Sequence, residues 1–127
     1  MDSQKVELAN QASESARAGQ TDRLVDLLGA GVPVNLCNQN GDTLVMLASY
    51  HGHAETVSAL LARGADANRA NDRGQTPIAG AVFKAENDVV RALLNGGADP
   101  VAGQPSAVDT ARMFGREEML TLFGRAG

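Results

Sequence analysis

Residues 40–68 read NGDTLVMLASYHGHAETVSALLARGADAN. A turn containing Gly41 precedes Thr43, a good helix N-cap because its hydroxyl can accept a free backbone N–H of the first turn. A helix of about ten residues is expected from there, stopping near Gly52. A second helix follows, with Val57, Leu60 and Leu61 at helical spacing. Gly64 then stands where a helix commonly ends in a left-handed cap. A polar run with Asn and Asp leads out.

The same plan recurs at an offset of 33 residues. Gly41 pairs with Gly74, Thr43 with Thr76, Leu60 with Leu93, Leu61 with Leu94 and Gly64 with Gly97. Backwards, Leu27 maps to Leu60, Leu28 to Leu61, Gly31 to Gly64 and Gly19 to Gly52. Identities at one fixed offset across three units mark a repeat array. In the third unit Pro77 takes the first helical position, where its missing N–H costs nothing. No single unit can bury its apolar faces, so stacked neighbours must supply a continuous core.

These residues resemble the ankyrin repeat family, whose pattern is roughly D-x-x-G-x-T-P-L-H-x-A-A-x-x-G-H followed by V-x-x-L-L-x-x-G-A-x-x-N. The second unit carries Gly41, Thr43, Ala48, Gly52, His53, Val57, Leu60, Leu61, Gly64, Ala65 and Asn68. The third carries Gly74, Thr76, Pro77, Ile78, Ala81, Val90, Leu93, Leu94, Gly97 and Ala98. The resemblance covers about residues 5–124. It implies an all-α ankyrin-repeat solenoid: four stacked helix-turn-helix repeats with short β-turn fingers. The repeats are expected at about 5–37, 38–70, 71–103 and 104–124 of a single domain spanning 1–127, with the terminal repeats acting as caps. The capped ends favour a complete unit.

Departures from the family pattern carry their own expectations. Leu94 to Ser106 spans 12 residues, against 15 from Leu28 to Thr43 and from Leu61 to Thr76, so the last finger should be stunted or absent. Met46 and Ala79 replace the family histidine, which should leave the fingers less firmly held. Gly80 inside a helix should cost about 1 kcal/mol relative to Ala. Ala85 replaces the inter-helix glycine, so that turn must find a conformation alanine tolerates.

Composition narrows the function class. The chain has a net charge of −4, which argues against nucleic-acid binding, since phosphate contacts need a basic surface. No apolar run approaches the length of about 20 residues that a membrane span needs, and no signal pattern opens the chain. The single Cys37 cannot form an internal disulfide, and a reducing, cytoplasmic setting fits it best.

Site chemistry is sparse. His51 and His53 are the two histidines. With Cys37 and Glu55 they could improvise a metal site, but zinc wants about four well-spaced ligands. By register His53 is the turn histidine of the family pattern, expected to bond backbone, and His51 lies just before it. Cys37 reads as a surface or half-buried thiol rather than a nucleophile. Glu117 and Glu118 are adjacent and diverge on a helix, where they favour its N-terminal dipole. The glycines form no phosphate-binding motif. No cofactor, metal or catalytic residue is assigned, and nothing argues for an enzyme.

What the resemblance implies instead is binding of a protein partner through the concave face, formed by finger residues and the ends of the first helices. The helix-end positions are Arg17 and Ala18, Tyr50 and His51, Phe83 and Lys84, Met113 and Phe114. The finger positions are Asn38, Gln39, Asn40 and Asp42, then Asn71, Asp72, Arg73 and Gln75. Three of the four aromatics, Tyr50, Phe83 and Phe114, fall among them, joined by Met113. Aromatic and Met side chains are typical interface anchors. The candidate partner-binding residues are therefore Arg17, Asn40, Asp42, Tyr50, His51, Arg73, Gln75, Phe83, Lys84, Met113 and Phe114. The competing reading is that the rings fold back over the thin stack. It suits Phe114 best, whereas Tyr50 and Phe83 are expected to be exposed. The partner's identity is not encoded in these residues, and a direct regulatory subunit or inhibitor of an enzyme is the alternative role. A monomer is expected, with self-association through the apolar row as the other outcome.

Overall fold

The computed structural model describes residues 3–124. Eight helices form four pairs: α1 (Ser3–Ala18) with α2 (Thr21–Gly29), α3 (Leu44–Tyr50) with α4 (Ala54–Ala62), α5 (Pro77–Phe83) with α6 (Asn87–Asn95), and α7 (Ala107–Met113) with α8 (Glu117–Leu122). The first helices stack in one row, α1 on α3 on α5 on α7, and the second helices in another, α2 on α4 on α6 on α8. This is an all-α solenoid; among the described residues β pairing is confined to two isolated bridges.

The inner first helices are shorter than expected, seven residues rather than about ten. They are apolar nearly all round because three neighbours cover them: the helix before, the helix after and their own partner. Leu44–Ser49 and Pro77–Val82 are accordingly all buried. The terminal helix α1 has a neighbouring unit on one side, and it buries Ala12, Ser15 and Ala16.

Each of these later first helices starts on its expected cap. The Thr43 hydroxyl accepts the Met46 N–H at 3.1 Å, Thr76 accepts that of Ala79 at 3.3 Å and Ser106 that of Asp109 at 3.1 Å. The second helices α2, α4, α6 and α8 instead place Asp22, Glu55, Asp88 and Glu117 in their first turns, where the helix dipole favours negative charge. They end as the glycines indicated. Gly31, Gly64 and Gly97 take positive φ, and the next amides reach back five residues: Val32 to Leu27, Ala65 to Leu60, Ala98 to Leu93.

The inter-helix turn corrects one expectation. Gly19, Gly52 and Gly115 adopt positive φ there, and Ala85 follows them at φ 60° instead of finding an easier conformation. The stack geometry imposes the left-handed turn, and alanine bears the strain.

The fingers are also held, by residues other than the missing histidine. Asn38 Oδ1 accepts the N–H groups of Asn40 and Asp42 at 2.9 and 3.0 Å. One repeat on, Asn71 Oδ1 accepts those of Arg73 and Gln75 at 3.0 and 3.1 Å. The two fingers join through Asp72 N–H to Asn40 O at 3.0 Å and Asn71 Nδ2 to Asp42 Oδ1 at 2.9 Å. The last finger is stunted as its spacing required: Cys37 and Thr43 bridge across five residues, Gly103 and Ser106 across the two residues Gln104 and Pro105. Gln104 still donates to Gly74 O at 3.0 Å.

Candidate partner-binding face

The two histidines divide their roles. His53 Nε2 lies 2.7 Å from Arg17 O, and because a carbonyl can only accept, Nε2 carries the proton. His53 thus ties the second unit to the first. Arg116, at the matching station of the fourth unit, donates to Phe83 O at 3.5 Å. His51 is exposed and meets the Tyr50 ring edge-on at 5.8 Å between centroids. Cys37 is half-buried, its Sγ accepting from Arg69 at 3.6 Å. Among the described residues no group of three or more His, Cys, Asp or Glu is arranged to hold a metal ion, and no helix is long and apolar enough to cross a membrane.

The first-helix ends interlock along a diagonal. Lys84 Nζ sits 5.1 Å from the centre of the Tyr50 ring, and Phe114 packs edge-on against Phe83 at 5.4 Å. In both cases the covering residue comes from the next unit, one position further along its helix end. Tyr50 is therefore half-buried rather than exposed, a correction that follows from Lys84 above it. Phe83 is 44% exposed and Phe114 45%, so Phe114 both packs on its neighbour and presents a face to solvent. Met113 holds the corresponding place in the last pair, where no further helix end follows among the described residues, and it is 67% exposed. The Arg116 guanidinium stands 5.8 Å from the Phe114 ring.

Seven of the eleven candidates converge elsewhere on that face. Arg17, Asn40, Asp42, Tyr50, His51, Arg73 and Gln75 line one open concavity of about 260 Å³. Asn38, Met46 and Leu47 complete its wall and floor. Phe83, Lys84, Met113 and Phe114 are not part of this concavity; they form the neighbouring ridge. Sequence reasoning placed Asn38 in the finger, but Met46 and Leu47 were missed as lining. The available signal was Met46 at the station where the family pattern has histidine. A larger groove of about 630 Å³ runs between the N-terminal half of α1 and residues 30–36 and is lined by Val6, Leu8, Val32, Pro33 and Leu36 among others.

The comparisons agree with this architecture. The family described as ankyrin repeats, three copies, matches residues 12–104. A protein of Pseudomonas aeruginosa that bears the ankyrin repeat name is 51% identical over 57 residues, which is 45% of this chain and 33% of that relative. The chain thus spans about a third of the length of the curated relative it matches. With the match running across most of the solenoid, and the caps, turns and stacking in place, this chain belongs to the ankyrin repeat family.

Proposed function

We infer that this chain, like ankyrin repeats generally, is a protein–protein interaction module. We propose that this chain holds a protein partner on its concave face, across the concavity lined by Tyr50, His51 and Arg73 and the ridge of Phe83, Phe114 and Met113. The observation that carries the reading is the convergence of seven helix-end and finger residues on one concavity beside an exposed aromatic pair. A partner side chain entering there would be desolvated on several sides, the condition under which a few anchors dominate affinity. Met113 and Phe83 offer apolar surface to the same partner at little folding cost, because their exposed areas are not part of the core.

The test is a pulldown from the native cell extract with wild-type protein and a Tyr50→Ala, Phe83→Ala double variant, each checked for helix content by circular dichroism. Loss of the co-purifying protein with the fold intact is the expected result. Unchanged recovery of the same protein overturns the concave-face reading.

A further inference from the structure

We propose that the partner segment is acidic where it meets the concavity around Arg17, His51 and Arg73 and apolar where it meets the ridge of Phe83, Phe114 and Met113. This rests on the concave-face reading above and adds the partner's chemistry. The chain carries a net charge of −4, yet the concavity gathers Arg17 and Arg73, with His51 beside them. Both arginines are exposed, and the one ion pair among the described residues is Arg91–Asp88. Asp42 is the one carboxylate lining the concavity, and its Oδ1 already accepts from Asn71. Glu14, one turn before Arg17, lines the adjoining concavity, which Arg17 also lines, and forms no ion pair with it. Lys84 over the Tyr50 ring adds a further cation at the rim. Guanidinium groups without intramolecular partners favour carboxylates, which they can bind in a bidentate fork.

The other half of the face has the opposite character. Phe83 and Phe114 pack together with exposed faces, and Met113 is exposed at the same helix end as Phe114, so these apolar surfaces come from the third and fourth repeats. Packed helices stand about 8–10 Å apart, so Met113 lies about 16–20 Å along the stack from His51. An extended chain rises about 3.3 Å per residue, so acidic and apolar anchors of the partner stand about five or six residues apart.

The probe is a peptide of about ten residues, too short to hold a helix in water, with a Glu pair and a Leu-Phe pair about five residues apart on a Ser/Gly background. Companion peptides replace the Glu pair by Lys or Gln, or bring the two pairs together. Amide shifts of the labelled protein are followed by NMR. The expected result is shifts at His51, Arg73, Phe83 and Met113 with the Glu peptide, at least about tenfold weaker binding of each companion, and a further drop of about tenfold in Arg17→Gln, Arg73→Gln protein. Equal binding of the Lys or Gln peptide at the same residues overturns the acidic assignment while leaving the concave-face reading standing. Shifts confined to the groove along α1 count against both. No shift anywhere overturns this inference, and the pulldown decides the wider reading separately.

Discussion

The terminal methyl of Met46 lies 2.8 Å from the point where a Cβ on Gly80 would stand. These two residues depart from the family pattern in adjacent repeats, and they answer each other. Met46, in place of the histidine, points toward the next unit, and Gly80 leaves room for it. The helix penalty of Gly80 is therefore offset by packing of a buried Met side chain. Replacing Gly80 by Ala should recover less than the roughly 1 kcal/mol that helix propensity offers, because Met46 must shift. In a Met46→Ala background the gain should approach the full amount. A double-mutant cycle by urea unfolding should give a coupling of at least about 0.5 kcal/mol, and additive effects would remove the pairing.

Ala85 is the sole non-glycine residue with positive φ among the described residues. Left-handed backbone costs an L-residue about 1–2 kcal/mol. Glycine relieves that but gains unfolded-state entropy of about 0.4–1 kcal/mol. Ala85 is exposed, so little packing is lost. Ala85→Gly should stabilise the protein by about 0.5–1 kcal/mol, read as a higher urea midpoint with an unchanged slope. A lower midpoint would mean the strain is illusory.

His53 and His51 should separate cleanly. His53→Ala removes the bond to Arg17 O and should cost about 1 kcal/mol. His51→Ala, at an exposed position, should stay within about 0.5 kcal/mol of wild type while altering partner recovery. Equal losses of stability would contradict this division.

Asn71 is the keystone of the fingers. It is buried, accepts two amides and donates to Asp42. Asn38 is half-buried and its side chain accepts two amides. Asn71→Ala should cost about 2–3 kcal/mol and Asn38→Ala about 1–2, with the difference shrinking in an Asp42→Ala background. Chemical denaturation of the four proteins checks both the order and the coupling.

Ser49 Oγ is fully buried and has no hydrogen-bond partner among the described residues. Its burial cost is uncompensated, and alanine is the better helix former. Ser49→Ala should raise stability by about 1 kcal/mol. A loss of similar size in thermal and urea melts would mean that the hydroxyl is satisfied in solution.

The fold was legible in the chain because a repeat states its rules more than once. Thr43 and Thr76 cap the same helix, Gly31, Gly64 and Gly97 end the same helix, and Leu60 and Leu93 face the same core. Each is a local preference of backbone or burial, visible without any neighbour in space. The shortened last finger was equally a matter of counting residues between Leu94 and Ser106. The helix-end and finger candidates were legible by register, since the period sets which positions leave the stack.

Tertiary structure decided how those positions meet. Lys84 covers Tyr50 and Phe114 covers Phe83, each ring meeting the residue one position further along the next unit's helix end, a contact that repeat identities do not contain. Ala85 is held left-handed because the helices on either side are fixed by their neighbours, overriding alanine's own preference. Met46 and Gly80 are complementary only across an inter-repeat gap. The opening pair divides in the same way: the turn role of His53 follows from the repeat pattern, while the place of His51 beside Arg17 and Arg73 comes from stacking, which brings side chains of three repeats around one concavity.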